Sequence, residues 1–172
     1  MPNFLNTLFN FFKPAQAKYP ADSATEPAQI TLCKVLVIVY DPIMDKSTGV
    51  TLSQQQRWYR PADLITGFMA DMLQVSGGMA RFQIVQRVDV DEFPAKTDNF
   101  QYTPQTYMSV LRGETAAHTP AEINYNTILG KYNILQRVAN NEIDEVWIFG
   151  FPHAGLYEST MGGPGAFWCN AP

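Results

Sequence analysis

Cysteine is scarce in this chain, and nothing arranges it for chemistry. The two thiols, Cys33 and Cys169, belong to no C-x-x-C pair, and no H-E-x-x-H or Cys/His cluster is present. Structural zinc sites need such spacings, so none is expected. A disulfide between thiols so far apart in sequence is allowed but weakly supported. Cys33, just before an apolar run, reads instead as a small core residue. Charge is thin as well. Charged residues make up 16% of the chain, and 12 Lys plus Arg against 16 Asp plus Glu leave a net charge of −4 with no basic run. That balance excludes the electrostatic footprint of a nucleic-acid binder. No stretch approaches the ~20 apolar residues of a membrane span. No G-x-G-x-x-G follows the first apolar run, and Gly162-Gly163-Pro164-Gly165 lacks the Lys of a phosphate loop. A nucleotide cofactor is therefore not expected. Ser159 lies in Tyr-Glu-Ser-Thr-Met and not in the G-x-S-x-G elbow of α/β-hydrolases.

What the chain does have is apolar bulk. With 172 residues and 46% apolar content it can bury a sizeable core in one domain. Aromatics are plentiful at 13%, and many sit outside periodic segments: Trp58, Tyr59, Phe93, Phe100, Tyr102, Tyr157, Phe167 and Trp168. Aromatic rings in loops form either a second layer of core or a binding surface, and the core is the commoner use.

Residues 1–30 stand apart from the rest. Phe4, Leu5, Leu8, Phe9, Phe11 and Phe12 share one helical face, with Asn3, Asn6 and Asn10 opposite. This segment can be read as a degenerate signal peptide, as an amphipathic helix that docks on a membrane or partner, or as a helix that docks on its own domain. Residues 14–30 are rich in Pro, Ala, Ser and Thr, the composition of a linker. The α/β domain is expected over 31–172. Within it, K-V-L-V-I-V-Y (34–40) is a continuous apolar run, as in a central parallel strand buried on both faces. Pro61 opens a helix with Leu64, Ile65, Phe68, Met69, Met72 and Leu73 at helical spacing, and Gly77-Gly78 stops it. A more polar strand follows over 81–90, nearer an edge. Thr103-Pro104 starts a short helix. Thr119-Pro120-Ala121-Glu122 has capping-box spacing and is expected to open a helix burying Ile128, Leu129, Tyr132, Leu135 and Val138. The third strand covers 145–151. The alternation predicts an α/β fold with a short parallel three-stranded, Rossmann-like sheet flanked by helices. Because three strands make a small sheet, further strands beyond residue 172 are expected, which would make the domain incomplete.

Parallel strands deliver their C-terminal ends to one rim, where α/β proteins hold ligands. Asp41 ends the first strand, Asp89, Asp91 and Glu92 the second, and His153 and Glu158 follow the third. Asp41, Asp91, His153 and Glu158 are thus the candidate catalytic groups. Clustered carboxylates raise one another's pKa for acid and base work, or hold a divalent cation through oxygen ligands. Tyr157, Trp168 and Asn170 are the candidate substrate contacts, because a ring face and an amide together suit a polar small molecule or glycan. The plainer reading of each carboxylate is a cap on loop amides, and of Trp168 a packed ring.

Asp144-Glu145-Val146-Trp147, Gly150-Phe151-Pro152, Gly155, Tyr157-Glu158-Ser159, Met161, Gly163-Pro164, Trp168 and Asn170, with Tyr40-Asp41-Pro42 and Phe93-Pro94, resemble an uncharacterised group of microbial proteins, many of them read as secreted. The resemblance covers 34–172 and supplies no catalytic residues. It implies that members continue past this point and leans the chain toward a secreted or envelope location. Two functions are carried forward: a hydrolase-like activity on a polar or glycan substrate, and a non-catalytic glycan- or protein-binding module, or a remnant domain.

Overall fold

The computed structural model describes residues 29–156. The N-terminal segment up to residue 28 lies outside the described residues, as do Tyr157, Glu158, Trp168, Cys169 and Asn170. The elements run β1 (Thr31–Tyr40), β2 (Ile43–Asp45), β3 (Val50–Thr51), α1 (Leu52–Gln56), α2 (Pro61–Val75), β4 (Ala80–Val90), α3 (Pro104–Leu111), α4 (Tyr125–Lys131), α5 (Ile134–Ala139) and β5 (Glu145–Phe149). No helix among the described residues is long and apolar enough to cross a membrane.

Every residue of β1 from Val35 to Tyr40 is buried, so both faces of that strand need cover. It lies in the middle of a three-stranded parallel sheet of order β4-β1-β5. This is the expected α/β architecture. Val35, Val37 and Val39 face Ile65 and Met69 of α2. Leu36, Ile38 and Tyr40 face Ile128 of α4 and Ile134 of α5, with Ile123 and Ile143 from the flanking loops. The two crossovers therefore cover opposite faces.

Strand β4 carries Phe82, Ile84, Val88 and Val90, all at even positions, which in a regular strand would share one face. A register shift resolves this. Val35 pairs with Ile84 but Leu36 pairs with Gln86, which leaves Val85 as an extra residue. The bulge switches the pleat. Phe82 and Ile84 pack with α2, whereas Val88 and Val90 pack with the α4–α5 face. Cys33 packs, half-buried, with the first set. Burial, then the hydrogen bond to Glu145, pushes its thiol up to about 12, so it stays protonated and unreactive at neutral pH.

Two expectations need correcting. No helix starts at Thr119. Ile123 is held extended by an isolated bridge to Lys96, and α4 begins at Tyr125, where the Asn124 side chain accepts from the Thr127 amide at 3.2 Å. The single long helix is also two short ones, broken at Asn133, which takes a left-handed conformation. The break rotates α5, so Leu135 and Val138 are exposed instead of buried.

The loops after β4, before α4 and after β5 are tied together by one side chain. Lys96 is 1% exposed. Its Nζ donates to the carbonyls of Ala121 at 2.6 Å, His153 at 2.7 Å and Ala154 at 2.7 Å. Burial pulls the ammonium below its ordinary pKa, opposed by the carboxylates of Glu122 and Asp98. Gly155 sits against this knot with φ +88°, and a Cβ there would fall 1.9 Å from the Ala121 carbonyl oxygen. Only glycine fits. Nearby, the Asp98 carboxylate accepts from the Phe100 amide at 3.1 Å and pairs with His118 Nε2 at 2.8 Å, while the His118 ring stacks on Phe100 with centroids 3.8 Å apart.

Replacing Lys96 by Met leaves three carbonyl oxygens without their donor. At about 1–3 kcal/mol for each buried group left unpaired, the expected loss in a urea titration is about 3 kcal/mol or more. A loss below about 1 kcal/mol would show that water replaces the ammonium. A second expectation concerns acid. The Phe100 amide, then the His118 side chain, hold the Asp98 carboxyl below its ordinary range. A depressed folded-state pKa contributes stability above the unfolded value and loses it as pH falls through the folded one. Melting temperatures measured from about pH 6 down to about pH 2 should therefore fall less steeply in Asp98→Asn than in the wild type.

Candidate functional site

In the order β4-β1-β5 the chain leaves β1 to one side and later returns on the other. Crossovers on opposite faces separate at that point and leave a crevice beyond the ends of β1 and β5, the usual ligand position in open α/β sheets. A cavity of about 510 Å³ occupies it. Tyr40 and Asp41 from the end of β1 and residues 149–152, from the last residue of β5 onward, form its base. Leu52, Ser53, Arg57 and Trp58 form one wall, and Tyr59, Pro61 and Leu64 the entrance to α2.

The wall is built by local sequence. Thr51 and Gln54 have capping-box spacing, and the Thr51 amide donates to Gln54 Oε1 at 3.0 Å. From the strand end, the Asp41 carboxylate completes the cap. Its Oδ1 accepts from the Ser53 amide at 2.8 Å and its Oδ2 from the Ser53 hydroxyl at 2.7 Å. Arg57 ends α1 with φ 55°, which turns the chain sharply and sets Trp58 half-buried and Tyr59 82% exposed beside the cavity. Burial, then the neighbouring Tyr132 and Glu92, push the Tyr40 phenol up to about 12, so it remains a neutral donor at neutral pH.

The structure brings Asp41, Asp91 and His153 to the sheet's C-terminal rim but gives them separate tasks. Asp41 lines the cavity and is bonded to Ser53. Asp91 Oδ1 accepts from the Ile43 amide at 2.5 Å, fastening the β2–β3 hairpin, and Asp91 is not among the cavity's lining residues. Asp89 pairs with Arg87 at 2.6 Å and Glu92 with Lys131 at 3.2 Å, both at the surface. His153 has φ 62°, and its carbonyl is turned to Lys96. Its side chain is exposed and does not line the cavity. No three of the His, Cys, Asp and Glu side chains converge as a metal site among the described residues.

Comparison of the chain with protein-family profiles, with curated proteins and with solved structures returned no match. The site is therefore read from its own geometry.

Sequence reasoning missed Ser53, Arg57 and the pairing of Trp58 with Tyr59 as a wall. The usable signal was T-L-S-Q: a hydroxyl followed three residues later by Gln marks a helix start. Read as a helix, residues 52–56 turn the following R-W-Y toward the end of β1.

Removing the Asp41 carboxylate should cost stability, because it serves as the cap of α1. Asp41→Ala is expected to lose about 1–2 kcal/mol, measured by chemical denaturation. An unchanged midpoint would show that the carboxylate's hold on Ser53 is dispensable to the fold.

Proposed function

We propose that the protein binds a small polar molecule with a flat apolar face, of the glycan class, in the cavity between the ends of β1 and β5. One observation carries the reading. Trp58, half-buried against the neighbouring aromatic cluster, and the exposed Tyr59 both line a concave site that also holds polar atoms already fixed in place, the Asp41 carboxylate and the Ser53 hydroxyl. A sugar needs both features: a ring surface to stack its axial C–H groups and rigid acceptors for its hydroxyls. Tyr59 supports this further, since a phenol ring 82% exposed beside a cavity gains by covering. The volume of about 510 Å³ falls within the usual range for small-molecule sites.

The second reading is hydrolase-like turnover of such a glycan, with Asp41 as base or nucleophile and Asp91, His153 and Glu158 assisting. It is favoured by the presence of Asp41 in the cavity lining. Binding alone is the better supported function, because both oxygens of Asp41 already accept from Ser53, and Asp91 and His153 do not line the cavity.

Titration of the purified chain with methyl glycosides, followed by tryptophan fluorescence and calorimetry, tests the proposal. Saturable binding is expected, weakened about tenfold in Tyr59→Ala, as loss of one stacking face implies. Melting should stay within about 0.5 kcal/mol of wild type, because Tyr59 is exposed. Release of the aglycone from aryl glycosides, abolished in Asp41→Asn, would move the assignment to turnover. An absence of binding across the panel would remove the glycan class.

A further inference from the structure

Within the glycan-binding reading, on which this step rests, we infer that the ligand is negatively charged and that Arg57 receives its anionic group. The chain has six arginines, and the structure commits five of them. Arg60 forks onto Asp63 at 2.8 and 2.9 Å. Arg87 pairs with Asp89 at 2.6 Å, Arg112 with Glu114 at 2.8 Å and Arg137 with Glu142 at 3.3 Å. Arg81 donates to the Gly78 carbonyl at 3.2 Å. Arg57 alone among these six has no ion pair and no side-chain hydrogen bond to any described residue, and it is the only one that lines the cavity.

Its placement is a consequence of the backbone. Residue 57 adopts φ 55°, a left-handed conformation uncommon for a side chain of this size, and thereby ends α1 with Arg57 and Trp58 both on the cavity wall. A guanidinium next to a ring, on a wall whose other lining is largely apolar, offers planar donors to a carboxylate or phosphate and little to a neutral hydroxyl. Asp41 makes no ion pair with it; the two Asp41 oxygens accept from the Ser53 amide and hydroxyl. Asp41 instead remains an acceptor for sugar hydroxyls at the base. The cavity thus combines a stacking surface, a hydroxyl acceptor and a cation, and the matching chemistry is an acidic sugar: a uronic acid or a sugar phosphate.

Matched pairs separate this inference from the reading beneath it. The full chain is titrated with methyl glucoside, methyl glucuronide and glucose 6-phosphate, and with the galactose series. Either acid is expected to bind at least about tenfold more tightly than its neutral partner, the size of a charge-assisted contact that stays partly in water. The preference should shrink when the salt is raised to about 1 M, because an exposed pair is screened. Arg57→Asn, which tolerates the left-handed backbone, should abolish the preference, so that each acid binds no more tightly than its neutral partner. Arg57→Lys should keep part of it. The carboxylate and phosphate arms report which anion is favoured. Equal binding of neutral and acidic partners, or a preference that survives in Arg57→Asn, would overturn the inference and leave glycan binding standing. Failure of every sugar to bind would overturn both.

Discussion

The rim of this sheet depends on one buried ammonium. Lys96 reaches from the loop after β4 into a space enclosed by two other loops and spends its three donors on three backbone carbonyls. A lysine this deeply buried is tolerated only when its protons are all placed, because burying an unpaired charge costs far more than the fold can lose. The converse also holds. The carbonyls of Ala121, His153 and Ala154 face inward, where they cannot bond to each other, and need a donor that can reach all of them. Three loops from distant parts of the chain are consequently held in one arrangement. The left-handed backbone at His153 and the glycine at position 155 follow from it, since the chain must turn its carbonyls toward Nζ and leave no room for a Cβ.

That knot and the aromatic cluster beside it set the cavity's base. Phe93, Tyr102, Tyr107 and Phe151 pack at centroid distances of 5.1–6.4 Å, and the Tyr107 hydroxyl donates to the Pro152 carbonyl at 2.9 Å. Phe151 and Pro152 are in turn part of the cavity lining. The segment that follows β5 is therefore clamped from behind, by Lys96 on the carbonyls of His153 and Ala154 and by Tyr107 on that of Pro152. Such support is what a binding site needs, because a first layer of side chains is only as rigid as the layer that holds it. The open side of the crevice is formed instead by α1, a helix of five residues whose start depends on Asp41.

The parts of the fold set by local pattern could be read from the sequence. The unbroken apolar run before Tyr40 marked a strand covered on both faces, Pro61 and Gly77-Gly78 bounded α2, and the polar content of β4 marked an edge. What could not be read were choices made by distant contacts. Thr119 to Glu122 has the spacing of a helix start, but Ile123 is needed in a bridge to Lys96, and the tertiary pairing overrides the local signal. The bulge at Val85 is invisible to a count of alternating residues, because it is defined by pairing with β1. At the site, topology alone brought Asp41, Asp91 and His153 to one rim. Their division into a cap, a hairpin fastener and a backbone turn depended on partners that carry no signature of their own.

The loop aromatics show how burial and binding were separated within one residue class. Phe93, Tyr102 and Tyr107 are buried behind the strand ends, where each ring finds others edge-on and each hydroxyl can find a partner. Trp58 and Tyr59 come from a segment of similar character, yet Tyr59 stays in solvent. The difference lies in the backbone before them. After the left-handed turn at Arg57 the two rings part: Trp58 packs, half-buried, against the Phe93–Tyr102–Tyr107 cluster, and Tyr59 is left outside it. The same turn that leaves a tyrosine uncovered leaves an arginine without a carboxylate. Both line one cavity, where a single ligand can meet them together.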